Sequence, residues 1–388
     1  MVSKLNMGKG VLILTYACNL KCSFCYAGHE VFGRPKTMRY AEARASIDFM
    51  QSLGIRTFTL LGGEPTIHRD LLDVVGYAAS RDMGPWIVTN GVKIADPGFG
   101  QALVDAGLKG GCVSLHGDTA EEHDAVTRIP GSFDKAMHAT VLAAERDWPL
   151  YPMLTVMAPT LPQVRPLIDR LIEAGSRTIY INYGLPNIKP DLDTGVDSGP
   201  EALARLTEQL FRLQPELGVR FIFNREKNKI PLCHFDYNTL KDMFSESVIG
   251  VGCEAAEGNT VVIEPGGSVL GCSHWVDHPL LNIYRDYERL ETLSPDEFWD
   301  LWSAGRPLAY RQELRFYPYE ACVDCGWRKA EMCFGGCKVW QQAGALPKTV
   351  AFEGDEVEWY HGEQRRGAPP QRTFIPLTVL GPRPFQPR

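Results

Sequence analysis

A chain of 388 residues with 44% hydrophobic and 22% charged side chains has a globular composition and material for two or three domains, which excludes a disordered or fibrous protein. Its formal net charge is -7 and its basic residues do not cluster, so neither nucleic acid nor an anionic membrane is an expected partner. No stretch approaches the roughly 18 consecutive apolar residues that a membrane-spanning helix needs.

The chain opens with Lys4 and Lys9 ahead of an apolar run from Val11 to Ala17 and then Cys18, an order that imitates a lipoprotein signal. Bulky Tyr16 stands where a small residue is required before cleavage, and further cysteines follow at once. The run therefore reads as a first strand, the protein as cytoplasmic, and its eleven cysteines as reduced thiols.

From there to about residue 183, short β-branched runs alternate with helical periodicity. Val11 to Thr15, Thr57 to Leu61, Trp86 to Thr89, Cys112 to Leu115, Met153 to Met157 and Thr178 to Ile181 fit strands buried on both faces. Between them Leu71, Val74, Val75, Ala78 and Ala79 fall on one helical face, as do Val164, Leu167, Ile168, Leu171 and Ile172. Asp96 before Pro97 marks a helix start. Six β/α units predict an α/β fold with a parallel sheet, a partial (β/α)6 TIM-like barrel whose chemistry gathers at the C-terminal strand ends.

A Gly/Pro/Asp-rich connection leads to a helix carrying Leu203, Leu206, Leu210 and Leu213, which completes a core expected to span residues 1–229. Residues 230–345 are irregular, hold seven of the eleven cysteines and are expected to fold around metal. Residues 346–388 lack cysteine, are rich in Pro and Arg near their end, and read as a tail.

Cys18, Cys22 and Cys25 form C-x3-C-x2-C directly after the first strand, with Phe24 before the last cysteine and Tyr26 after it. Three thiolates on one loop can hold three irons of a cubane cluster and leave the fourth open to a ligand; with His29 they could instead close a zinc tetrahedron. Gly62-Gly63-Glu64-Pro65 ends the second strand, where paired glycines let a ligand approach the backbone and Glu64 suits an ammonium group. Thr89-Asn90-Gly91 ends the third strand, Ser114-Leu115-His116-Gly117 the fourth, and Arg128 lies just beyond. Polar groups at four successive strand ends describe a site for a zwitterionic cofactor. Two bland alternatives stay open, a turn role for Asn90 and a surface ion pair for Arg128. Cys112 reads as a buried apolar residue, and His116, His123 and His138 as ordinary loop or helix histidines.

With Cys18, Cys22, Phe24 and Cys25 matching C-x3-C-x-aromatic-C and Gly62 to Pro65 matching GGEP, residues 11 to about 183 resemble the core of a radical S-adenosylmethionine (SAM) enzyme. The resemblance implies a four-iron four-sulfur (4Fe-4S) cluster on Cys18, Cys22 and Cys25, with SAM chelating the unique iron. It further implies that Gly62, Gly63 and Glu64 hold the SAM amino group, Asn90 and Ser114 its ribose or methionyl part, and Arg128 its carboxylate, with Tyr26 along the adenine. Reductive cleavage of SAM to a 5'-deoxyadenosyl radical, which abstracts hydrogen from a substrate carbon, is the implied chemistry.

Further on, Cys253-x13-Gly267-x4-Cys272 surrounds an expected hairpin, Val261 to Ile263 and Val269 to Leu270 about a turn at Pro265-Gly266-Gly267. Cys322-x2-Cys325-x7-Cys333-x3-Cys337 follows. Ligand softness alone suits zinc or an iron-sulfur cluster. The pattern resembles the SPASM domain that follows many radical SAM cores, which implies one or two auxiliary 4Fe-4S clusters. Cys253, Cys272 and Cys337 would bind the first, and Cys322, Cys325 and Cys333 the second. The gap between Cys325 and Cys333 is seven residues rather than five, and no cysteine follows Cys337 to complete the second cluster. Cys233 is a candidate for completing the first cluster or for donating a hydrogen atom to a substrate radical.

The resemblance implies tailoring of a peptide or other natural product, with an amino sugar or nucleoside dehydrogenase or epimerase as the alternative. Sulfatase maturases carry an Asp base after the second SPASM cysteine; Ser273 and His274 stand here, which argues against that role and makes His274 a candidate acid/base group. A flavodoxin or ferredoxin would supply electrons. Because the first strand begins by residue 11, leader recognition would fall to a separate binding protein. The competing reading of another class is a zinc-stabilised, non-catalytic binding protein.

Overall fold

The computed structural model describes residues 7–28, 33, 35–157, 162, 164–184, 199–223, 230–250, 253–276, 278–315, 322–329, 333 and 335–337; His29 and the 346–388 tail lie outside them. Seven strands follow one another in parallel: β1 (Lys9–Thr15), β2 (Thr57–Gly62), β3 (Gly84–Thr89), β4 (Gly110–Leu115), β5 (Leu150–Val156), β6 (Thr178–Tyr183) and β7 (Arg220–Phe223). All six expected strands are present, and β7, with Phe221 and Phe223 buried, adds a seventh. On the other side of β1 lie β8 (Thr260–Ile263), parallel to it, then β9 (Ser268–Leu270) and β10 (Leu281–Asn282), both antiparallel to their neighbours. The sheet is thus open, in the order β10-β9-β8-β1-β2-β3-β4-β5-β6-β7. The expected hairpin forms as β8 and β9, but it extends the sheet of the core.

β1 is buried on both faces because its side chains alternate between two apolar layers. Leu12 and Leu14 join the main core with Leu71, Val74, Val75, Val164, Leu167 and Ile168 from the flanking helices Leu71–Ser80 and Val164–Glu173. Val11 and Ile13 pack on the opposite face with Val262, Leu270 and Val276, against which Cys25, Tyr26 and Leu61 rest. Asp96 caps the helix Pro97–Asp105, its Oδ1 accepting from the Gly98 and Phe99 amides. Cys112 is buried in β4, and burial pushes its thiol up to about 12. Among the described residues no helix is long and apolar enough to cross a membrane.

The C-terminal end of β2 crowds β1. The ladder slips between Ile13 and Thr15, and Gly62 takes φ 140°. A Cβ on Gly62 would lie 2.2 Å from the Thr15 carbonyl oxygen; one on Gly63 would lie 2.1 Å from that of Ala17 and 2.5 Å from that of Tyr16. This approach allows Gly63 to donate to Thr15 O and Glu64 to Ala17 O, each at 2.8 Å. The paired glycines therefore admit the protein's own backbone.

At the end of β4, His116 donates its amide to His123 Nδ1 at 3.2 Å from the helix Ala120–Thr127. The two rings stack at 5.2 Å, and both residues are buried. Burial pushes both imidazoles down, His123 to about 4.

Two outcomes are expected. Gly63→Ala should destabilise the protein by about 3 kcal/mol or more in denaturant titrations, because both obstructing atoms are backbone and cannot rotate away; parental stability would refute the close approach. An unfolded His123 takes up its proton near 6.5 and the folded one near 4. The neutral ring's stabilisation is therefore fully present above that window and is lost as pH falls through it, by up to about 1.4 kcal/mol per pH unit. His123→Gln should flatten this slope relative to the parent, and parallel slopes would count against the buried neutral pair.

Candidate active site

The loop that leaves β1 is held from two sides. Besides the bonds from Gly63 and Glu64, Lys21 and Ser23 donate to the carbonyls of Thr127 and Val126 at 3.0 Å, where the helix Ala120–Thr127 ends. Phe24 sets its ring edge-on against His116 at 4.9 Å, so the buried histidine pair backs the loop. Within the loop, Cys25 donates its amide to Cys22 O at 3.3 Å, and Cys18 Sγ accepts from Leu20 N at 3.3 Å. Burial pushes the Cys18 thiol up to about 12 and raises Cys22 and Cys25 as well, with the neighbouring thiols adding to the rise at Cys18 and Cys22. Bare, these thiols stay protonated; a cationic metal would reverse that balance by holding them as thiolates. Among the described residues no three Cys, His, Asp or Glu side chains converge as they would about a single ion.

Glu64 is 1% exposed and joins the ends of β2 and β3. Its Oε1 accepts from Thr66 N at 3.0 Å, Thr66 Oγ1 at 2.6 Å and Thr89 Oγ1 at 2.7 Å, while Oε2 accepts from Asn90 N at 2.7 Å. Burial raises its pKa against these donors. Oε2 keeps a lone pair, so the carboxylate can still receive a donor such as an ammonium group. Lys93 supports the same corner by donating to Thr66 O at 3.0 Å while lying 4.3 Å over the Phe99 ring.

The Asn90 side chain accepts from Val92 N at 3.0 Å, the turn role, and donates to Asn19 Oδ1 at 2.7 Å inside the cysteine loop. Ser114 is half-buried near the end of β4. Arg128 is exposed and closes its helix in the left-handed region at φ 58°, donating to Asp124 O at 2.7 Å. Non-glycine residues enter that region at a cost of about 1 kcal/mol. Tyr26 has a buried hydroxyl with no hydrogen-bond partner among the described residues, and its ring lies 4.8 Å from that of His274.

Beyond the hairpin, His274 Nδ1 lies 3.8 Å from Cys272 Sγ. Cys253 and Cys272 pack with Tyr310 against Ala255, Ala256 and Leu314. In the other group Cys325 donates its amide to Cys322 O, Cys333 donates its own to Trp327 O, and Cys333 Sγ accepts from Gly335 N, each at 3.3 Å. Leu232 N also bonds to Cys333, and Pro231 lies against Gly336, so the turn bearing Cys233 abuts the Cys333–Cys337 stretch. The sequence reading passed over Asn19, Thr66, Lys93 and Tyr310. Only Thr66, two residues after a carboxylate that opens a Pro65-Thr66-Ile67 turn, carried a local signal.

The profile of the radical SAM superfamily matches residues 12–164. An Fe-coproporphyrin III synthase of Methanosarcina barkeri (strain Fusaro / DSM 804) is 31% identical over 352 residues, covering 85% of this chain and 83% of that protein. An AdoMet-dependent heme synthase of the same organism is 25% identical over 207 residues, 53% of this chain, which spans 58% of that enzyme's length. Among solved structures, SuiB of Streptococcus suis bound to its precursor peptide SuiA superimposes with a TM-score of 0.66 at 15% identity, over 89% of this chain and 75% of that one. The fold is thus shared with SuiB, and the near full-length relationship to the Fe-coproporphyrin III synthase, together with the matching family model, shows that this chain belongs to the radical SAM superfamily, whose cofactors are SAM and a 4Fe-4S cluster.

Proposed function

We propose that Cys18, Cys22 and Cys25 hold the catalytic cluster, that the backbone of Gly62 and Gly63 and the remaining lone pair of Glu64 receive the SAM amino group, and that the enzyme removes hydrogen from a carbon of a peptide or other natural product. One observation carries this reading: three thiols share one braced, half-buried loop beside a buried carboxylate with room for one more donor. When bound, the cluster and SAM supply a 5'-deoxyadenosyl radical on one-electron reduction. The protein's task is to exclude water and aim that chemistry, and the apolar packing of Val11, Ile13, Val262 and Leu270 around Cys25 and Tyr26 serves it.

Asn90 contributes by fastening Asn19, with a second amide hydrogen left for a ribose or methionyl oxygen. Ser114 and Arg128 complete the polar rim for the ribose and carboxylate, and Tyr26 lies along the adenine. Cys253, Cys272 and Cys337 hold one auxiliary cluster, and Cys322, Cys325 and Cys333 a second. His274, which lies between Tyr26 and Cys272, serves as the acid/base group toward substrate. Cys233, whose turn abuts Cys333, serves as a further ligand. A flavodoxin or ferredoxin supplies electrons, and a separate protein presents a leader peptide where the substrate has one.

The peptide reading is supported by the precursor peptide in the SuiB complex. A tetrapyrrole substrate is the second reading, favoured by a relative that matches 85% of this chain, an Fe-coproporphyrin III synthase.

Anaerobically prepared protein should contain about twelve irons for three cubane clusters. Cys18→Ala should lose about four of them together with all SAM cleavage, while the auxiliary signals persist in electron paramagnetic resonance (EPR) spectra; retained cleavage would remove the assignment. Reduced enzyme and SAM should convert a short peptide encoded near its gene to a product of altered mass by mass spectrometry. Conversion of an iron tetrapyrrole carboxylate, with peptides untouched, would replace the first reading by the second.

A further inference from the structure

Tyr310 lies in the helix Gly305–Arg315, and its hydroxyl is buried without a hydrogen-bond partner among the described residues. The ring is fixed from several directions. A Cβ on Gly271 would come within 2.1 Å of Tyr310 Cε1, so the backbone just ahead of Cys272 lies directly against the ring. Trp275 meets it edge-on at 6.1 Å, and Cys253 and Cys272 share its apolar surroundings of Ala255, Ala256 and Leu314. Burial desolvates the hydroxyl. Two cysteines from separate stretches of sequence, Cys253 and Cys272, thus flank one phenol.

A buried hydroxyl left unpaired forfeits the hydrogen bonds it made to water. Neutral thiols are weak acceptors, whereas the thiolates and sulfides of a cluster carry negative charge and accept well. Hydrogen bonds to sulfur are among the factors that set cluster potentials, and they favour the more negative, reduced state.

We propose that Tyr310 donates its hydroxyl hydrogen to a sulfur of the auxiliary cluster on Cys253, Cys272 and Cys337 and so raises that cluster's reduction potential. The inference rests on the reading that these three cysteines hold a cluster. Tyr310 is a positioning residue that tunes the cluster without ligating iron.

Redox titration of the holoenzyme followed by EPR tests this. Tyr310→Phe should keep the parental iron content while one auxiliary cluster shifts to a lower potential and the other clusters stay where they are. Unchanged potentials would overturn the inference, and so would loss of iron, which would make the phenolate a ligand. Pulsed electron-nuclear double resonance on the reduced parent in deuterated water needs no variant. It should show an exchangeable deuteron coupled to that cluster, and its absence would also overturn the inference. A parent with only about four irons would instead sink the underlying auxiliary-cluster reading.

Discussion

Two residues without side chains allow the ends of β1 and β2 to meet. Where Gly62 and Gly63 pass the carbonyls of Thr15, Tyr16 and Ala17, a methyl group would stand at about two-thirds of the normal separation from a carbonyl oxygen. The resulting bonds, Gly63 to Thr15 and Glu64 to Ala17, fix the residue before Cys18 relative to the carboxylate after the second strand. Strand registers propagate this constraint outward. Glu64 then reaches Thr89 and Asn90 on β3, Asn90 returns to Asn19, and the loop closes on itself between Cys18 and Cys22.

The circuit also explains how a buried carboxylate is tolerated. Desolvation favours the neutral acid, and four hydrogen bonds from Thr66, Thr89 and Asn90 oppose it; each bond to a charged group is worth about 1.5 to 3 kcal/mol. Losing one donor would weaken both the carboxylate and the strand junction, because the same bonds do both jobs. An arriving cation at Oε2 would tip the balance further toward the ionised form without reorganising the site.

Much of this was legible in the residues because each signal is local. Parallel strands buried on both faces announce themselves as short β-branched runs, and each motif is compact in sequence, Cys18, Cys22 and Cys25 in one and Gly62 to Glu64 in the other. The purpose of Gly62 and Gly63 was not legible, since a glycine shows that something comes close without saying what; here it is β1. His116 and His123 read as ordinary, yet they form a buried neutral pair behind Phe24, an arrangement that depends on a helix returning over the end of β4. β7 and the attachment of β8 to β1 escaped for the same reason: sheet neighbours distant in sequence leave no periodic mark.

That attachment changes how the cysteine-rich segment relates to the core. Composition suggested a break near residue 230, but β8 hydrogen-bonds along β1 from Lys9 to Leu12, and Tyr16 donates to Glu264 Oε2 at 2.7 Å in the turn that follows. Glu42, on the helix Tyr40–Ser52, accepts from Tyr287 at 2.8 Å and from the Gly266 amide at 3.3 Å. Tyr26 completes the join against His274. These bonds cross the expected boundary at buried or half-buried positions, where interactions are least screened. The spacing between Cys25 and Cys272 is therefore set by a common sheet and not by a linker. Moving one cysteine group relative to the other would require breaking the ladder on which the first loop itself depends.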